Sequence, residues 1–98
     1  MTIGIKKNSD ELVLETTGRL DTITAPALDK AINENLENIK SLKLDFKGLE
    51  YISSAGLRVL LNAQKKMNKI GTMKVLNVSE SVMEVFEITG FADILTVE

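Results

Sequence analysis

Two short stretches near the start of the chain, TIGIKKN at 2–8 and ELVLETT at 11–17, carry partial alternation of apolar and polar residues. A period of two marks strands with one buried face, and Asn8, Ser9 and Asp10 between them are turn formers. The pair predicts an antiparallel hairpin. Beyond Gly18 the period changes. Leu28, Ala31, Ile32, Leu36 and Ile39 recur at helical spacing, with Thr24 placed to serve as N-cap and Pro26 in the first turn, where no amide proton is needed. SLKLDF at 41–46 returns to alternation and predicts a strand.

A second helix is expected after YISS. Leu57, Leu60, Leu61 and Gln64 lie along one side of it, Val59, Ala63, Met67 and Ile70 widen its apolar face, and Gly71 is placed as its C′ residue. TMKVLNV at 72–78 is the next strand. Ser81 and Glu84 have capping-box spacing at the start of a third helix, whose apolar residues are Val82, Val85 and Phe86 and whose stop is Gly90. ILTV at 94–97 predicts a last strand. The order β-β-α-β-α-β-α-β predicts one α/β domain over 1–98, with a mixed, mostly parallel sheet of four to five strands, an N-terminal β-hairpin and crossover helices.

Composition alters this picture mainly by exclusion. A chain of 98 residues that is 44% hydrophobic, with one proline, has enough apolar surface for a core without disulfides or metal. Twelve basic residues against fourteen acidic ones give a net charge of −2, without a basic block, so a nucleic-acid partner is not expected. No run of apolar residues is long enough for a signal peptide or a membrane span, and a soluble cytoplasmic protein without membrane contact is the expectation. The chain has no cysteine and no histidine, so thiolate sites, the commonest general base and the commonest transition-metal ligand are all missing. Neither a metal nor a cofactor is expected.

The stretch YISSAGLRVLL at 51–61 is where function is to be sought. Open α/β sheets gather ligands and partners beyond the carboxyl ends of their strands. Asp45 is expected near such an end, and Ser53 and Ser54 stand where the next helix begins. A serine before a helix is a common N-cap. Gly56 in the first turn is a poor helix former, and its bareness would let another backbone approach Ser54.

Three uses of such a hydroxyl differ in what they require. Nucleophilic catalysis needs a base, but there is no histidine, no G-x-S-x-G elbow and no lysine at S-x-x-K spacing. Phosphate binding lacks both G-x-x-x-x-G-K-[ST] and G-x-G-x-x-G. Modification remains. A phosphoryl group adds about −1.5 to −2 charges, which a helix N-terminus tolerates and an opposed partner surface does not.

The segment LDFKGLEYISSAGLRVLL, with GRLDTITAPAL upstream and VLNVSESVMEVFEITGFADIL downstream, closely resembles the STAS domain of bacterial anti-sigma-factor antagonists, over nearly the whole chain. The resemblance implies a non-enzymatic switch. In that family a partner that is both anti-sigma factor and serine kinase phosphorylates the serine at the start of this helix. Unmodified antagonist binds that partner and frees the sigma factor, and a serine phosphatase resets the cycle. The phosphoacceptor falls on Ser54, with Ser53 as the alternative, because Ser53 stands where the family often has aspartate.

The resemblance also places Asp21 beside the same surface, flanked by Thr22 and Thr24. Together with Ser53, Ser54, Gly56 and Arg58, Asp21 and Thr22 make up the expected partner-binding set. Arg58, one helical turn beyond Ser54, is placed to pair with its phosphate. A monomer or weak dimer is expected. The competing readings are a STAS module of a larger stress-sensing or lipid-transport assembly that binds without phosphorylation, and, further off, a nucleotide-binding or hydrolysing domain.

Overall fold

The computed structural model describes residues 1–98. Strands β1 (Thr2–Asn8) and β2 (Glu11–Leu20) form the expected hairpin, joined through Ser9 at φ 58°. The chain continues through α1 (Ala25–Asn35), β3 (Ser41–Ile52), α2 (Ser54–Ile70), β4 (Thr72–Leu76) and α3 (Glu80–Thr89). The sheet order is β1-β2-β3-β4, antiparallel in the hairpin and parallel in the other two pairs. This is the mixed, mostly parallel sheet that the order of elements implied.

One face of that sheet is dry. Leu12, Leu14 and Thr16 of β2, Leu42, Leu44 and Phe46 of β3, and Met73 and Val75 of β4 are all buried. The apolar ones join Leu28 and Ile32 of α1, Leu57, Leu60, Ala63 and Met67 of α2, and Val82 and Phe86 of α3 in a single cluster. Burying side chains of this size stabilises the fold by about 1.5–3 kcal/mol each relative to exposure. The alternate residues face water, and there Lys6 pairs with Glu15 at 2.7 Å and Lys43 with Glu11 at 3.2 Å.

Six local expectations are corrected. β3 does not stop at Phe46 but runs on to Ile52, with two places where an extra residue is inserted opposite β2, between Asp45 and Gly48 and between Leu49 and Tyr51. Such bulges increase twist and interrupt the polar–apolar alternation that marks a strand in sequence. Asp45 therefore lies within β3, not at its end. Its Oδ1 accepts from the Lys47 amide and from Asn77 Nδ2, both at 3.0 Å, where β4 parts from β3.

The cap of α3 is Ser79, whose Oγ accepts from the Val82 amide at 3.3 Å, and not Ser81. Ile39 lies beyond α1, which ends at Asn35, yet it is buried in the connection to β3. Thr24 has helical dihedrals of −92° and −21° and makes no side-chain cap bond to the amides that follow it. The expected last strand is reduced to one bridge between Val75 and Val97 after a 3₁₀ turn at Phe91–Asp93. Two hydrogen bonds, Val75 N to Thr96 O at 2.8 Å and Glu98 N to Val75 O at 2.9 Å, hold it beside β4.

Candidate functional site

The carboxyl ends of β2 and β3 meet through one hydrogen bond, from the Ser53 amide to the Leu20 carbonyl at 2.8 Å. This bond sets the turn that follows β2 beside the start of α2. The turn that carries Asp21 and Thr22 thereby lies beside the helix start that carries Ser53 and Ser54.

The two serines have different duties. Ser53 is the N-cap of α2, with extended dihedrals of −100° and 177°, and its Oγ accepts from the Gly56 amide at 3.4 Å. It is half-buried. Ser54 is the first residue of the helix, is exposed, and its hydroxyl has no hydrogen-bond partner within the chain. An exposed, unpartnered hydroxyl is thus placed on a helix N-terminus whose neighbour already supplies the cap. Ser53→Ala is expected to lower unfolding free energy by about 0.5–1 kcal/mol, while Ser54→Ala changes it by less than about 0.5 kcal/mol. Urea unfolding of the two variants measures the difference.

Gly56 is not the outward clearance expected of it. It is buried, and a Cβ there would lie 2.8 Å from both Ile52 Cγ1 and Leu20 Cγ. The bare position lets the first turn of α2 sit directly on the ends of β2 and β3. Its part in the site is to seat the helix, and through it Ser54, on the sheet.

Asp21 caps the turn into α1. Its Oδ1 accepts from the Ile23 and Thr24 amides, both at 3.0 Å, and the Thr24 hydroxyl accepts from the Asp21 amide at 2.8 Å. These reciprocal bonds are those of a capping box, with Asp21 in the role that spacing had suggested for Thr24. The Thr24 amide holds the Asp21 carboxyl below its ordinary value of 3.8, helped by the Thr24 hydroxyl, the Ile23 amide and the Arg19 charge, while desolvation opposes them.

A group whose pKa is depressed on folding stabilises above its unfolded value, and that contribution is lost as pH falls through the folded one. The melting temperature of the wild type should therefore approach that of Asp21→Asn as pH is lowered from about 6 to below 3.8. Melting curves across that range check it, and a constant gap would refute the coupling.

Thr22 is exposed on this turn, and so is Arg58 on α2, which forms no ion pair. Three neighbours escaped sequence reasoning. Ile23 is 87% exposed on the hydrogen-bonded Asp21 turn, and Tyr51 is 41% exposed. Arg19 stacks over the Tyr51 ring, 4.1 Å from its centroid. An isoleucine inside the otherwise polar DTIT stretch was the available signal. The bulged β3, which makes Arg19 and Tyr51 neighbours, left none.

The surface has two hollows and neither is lined by Ser53 or Ser54. The larger, about 790 Å³, runs along α3 past Ser79, Glu80, Glu84 and Glu87; the other lies at the β3 bulge beside Glu15, Asp45 and Lys47. The Ser54 region is an open surface, suited to meeting another protein.

The STAS domain family model matches residues 2–98. An anti-sigma-B factor antagonist of Bacillus subtilis is 29% identical over 96 residues, spanning 97% of this chain and 88% of the relative. The anti-sigma-F factor antagonist RsfB of Mycobacterium tuberculosis is 31% identical over 70 residues, 70% of this chain and 57% of its own. The crystal structure of an anti-sigma factor antagonist from Mycobacterium paratuberculosis superposes with a TM-score of 0.88 at 24% identity, over 98% of this chain and 83% of that one. The phosphorylated form of the Bacillus cell fate determinant SpoIIAA superposes with a TM-score of 0.77 at 17% identity, over 99% and 91%.

Proposed function

The chain belongs to the STAS domain family, and from that premise we propose that it is an anti-sigma-factor antagonist switched by phosphorylation of Ser54. Its unmodified form binds a serine-kinase anti-sigma factor and releases the sigma factor held there. Phosphorylation ends that binding, and a serine phosphatase restores it. The names of the relatives, anti-sigma-B and anti-sigma-F factor antagonists, support the class of partner.

The observation that carries the choice of residue is the division between the two serines. The Ser53 hydroxyl is engaged as a cap, and the Ser54 hydroxyl is exposed and unpartnered on the same helix start. A dianionic phosphate on Ser54 would meet the unpaired amides and positive dipole end of α2, so its own domain tolerates it. On a surface pressed against a partner, the same charge must be desolvated and opposed, which costs affinity.

The test compares unmodified and phosphorylated chain by titration calorimetry against the purified serine-kinase anti-sigma factor of the same organism. Tight binding of the first and loss of binding by the second are expected. Equal affinities would favour a module that docks without modification.

A further inference from the structure

We propose that the outward face of α2, from Ser54 to Lys69, is a basic docking strip for an acidic surface on that same partner. Phosphorylation then acts by reversing the charge at the head of the strip. The proposal rests on the reading of the chain as an anti-sigma-factor antagonist.

Ser54, Arg58, Asn62, Lys65 and Lys69 recur at intervals of four, four, three and four, and all are exposed. They form one stripe about 22 Å long at 1.5 Å per residue. The helix SAGLRVLLNAQKKMNKI carries Arg58, Lys65, Lys66 and Lys69 and not one acidic residue. Elsewhere on the surface Lys6, Lys30, Lys43 and Lys74 each have a carboxylate partner, whereas Lys7, Lys40, Lys47 and Arg19 do not, and these four are scattered over other elements rather than aligned on one helix. Arg58, Lys65 and Lys69 have none, and Lys66 is taken up by the Asn33 side chain of α1.

Helix electrostatics explain only the last of these cations. Lys69 lies in the final turn, where the dipole favours it; Arg58 and Lys65 lie too far from that end to gain. Lys65 and Lys69 are like charges at i and i+4, which is mildly unfavourable within the fold. An arrangement that the domain does not itself reward fits a counter-charge supplied from outside.

The rest of the surface selects what supplies it. The chain is acidic overall, at −2, and α3 presents Glu80, Glu84 and Glu87 without any base. A nucleic acid or an anionic membrane would meet that repulsion beyond the strip, whereas a protein with a local acidic patch would not. The strip is continuous with Ser54. A phosphate of about −1.5 to −2 charges there faces the acidic patch directly and draws Arg58, one turn away, toward itself. One modification thus removes an attraction and adds a repulsion.

The test measures association and dissociation rates between the full chain and the purified serine-kinase anti-sigma factor of its own organism, at about 50 mM and about 500 mM salt. Wild-type association should slow about tenfold at the higher salt, as steered encounters do. At low salt, Lys65→Glu/Lys69→Glu should associate about tenfold more slowly, with dissociation rate nearly unchanged and melting temperature lowered by about 4–8 °C because Lys69→Glu opposes the helix dipole, and Lys65→Gln/Lys69→Gln should fall between. Equal association rates for wild type and the reversed variant, without salt dependence, would overturn the strip and leave the antagonist reading in place. Tight binding of wild type to duplex DNA or to phosphatidylserine vesicles at physiological salt, abolished by the reversal, would overturn the choice of a protein partner. Absence of any wild-type binding to the kinase would overturn both.

Discussion

Ser54→Glu is expected to weaken binding to the anti-sigma partner by about 100-fold, about 2.7 kcal/mol, and yet to melt at the same temperature as wild type or slightly above it. The two effects separate because they arise on different sides of one residue. Toward its own domain, a carboxylate at the first position of α2 meets the positive end of the helix, worth about 0.3–1 kcal/mol in its favour. Toward a partner, the same charge occupies an exposed point that must be desolvated on contact.

Ser53→Glu provides the contrast. It replaces the engaged cap at a half-buried position, so stability should fall as well. Calorimetric binding and thermal melts on both variants decide the matter. A Ser54→Glu protein that binds as wild type, or that loses binding only because it unfolds, would contradict the assignment.

Gly71→Ala should be the most damaging single methyl in the chain. Gly71 ends α2, and its amide donates to the Met67 carbonyl at 2.7 Å while the next residue, Thr72, donates to the Lys40 carbonyl at 2.9 Å. A Cβ on Gly71 would lie 1.8 Å from Lys40 O and 2.6 Å from Lys40 C. Both atoms are backbone at the entry to β3, so relief requires moving a strand rather than turning a side chain.

The expected loss is about 3 kcal/mol, at the upper end of the usual range for overpacking, or about 12–24 °C in melting temperature for a domain of this size. Gly90→Ala is the control. Its Cβ would meet nothing within 4 Å, and only the left-handed φ of 83° penalises it. Its cost should be about 1–2 kcal/mol. Comparable losses in the two variants would show that the approach to Lys40 is not what confines Gly71.

The regular parts of this fold were legible because each obeyed one period. The alternation in β1 and in the first half of β2 located the hairpin, and Leu57, Leu60, Ala63 and Met67 located the buried side of α2. What resisted reading was irregular. The two insertions in β3 hid half of that strand, and the bridge at Val97 depends on backbone bonds to Val75 that no local preference encodes.

Caps were ambiguous for a related reason. Ser79 and Ser81, or Asp21 and Thr24, are equally good cap residues, and tertiary placement of the helix chooses between them. At the site, the sequence singled out Ser54 but misjudged Gly56. A small residue can make room on either side of a helix, and only packing tells which.

The most direct test of the account is to map the phosphate. The chain is incubated with ATP and its serine-kinase anti-sigma factor, digested, and sequenced by fragmentation in the mass spectrometer. One phosphate on Ser54, none on Ser53, and none in a Ser54→Ala variant that still folds is the predicted result. A phosphate on Ser53, or an unmodified chain after prolonged incubation with an active kinase, would contradict it.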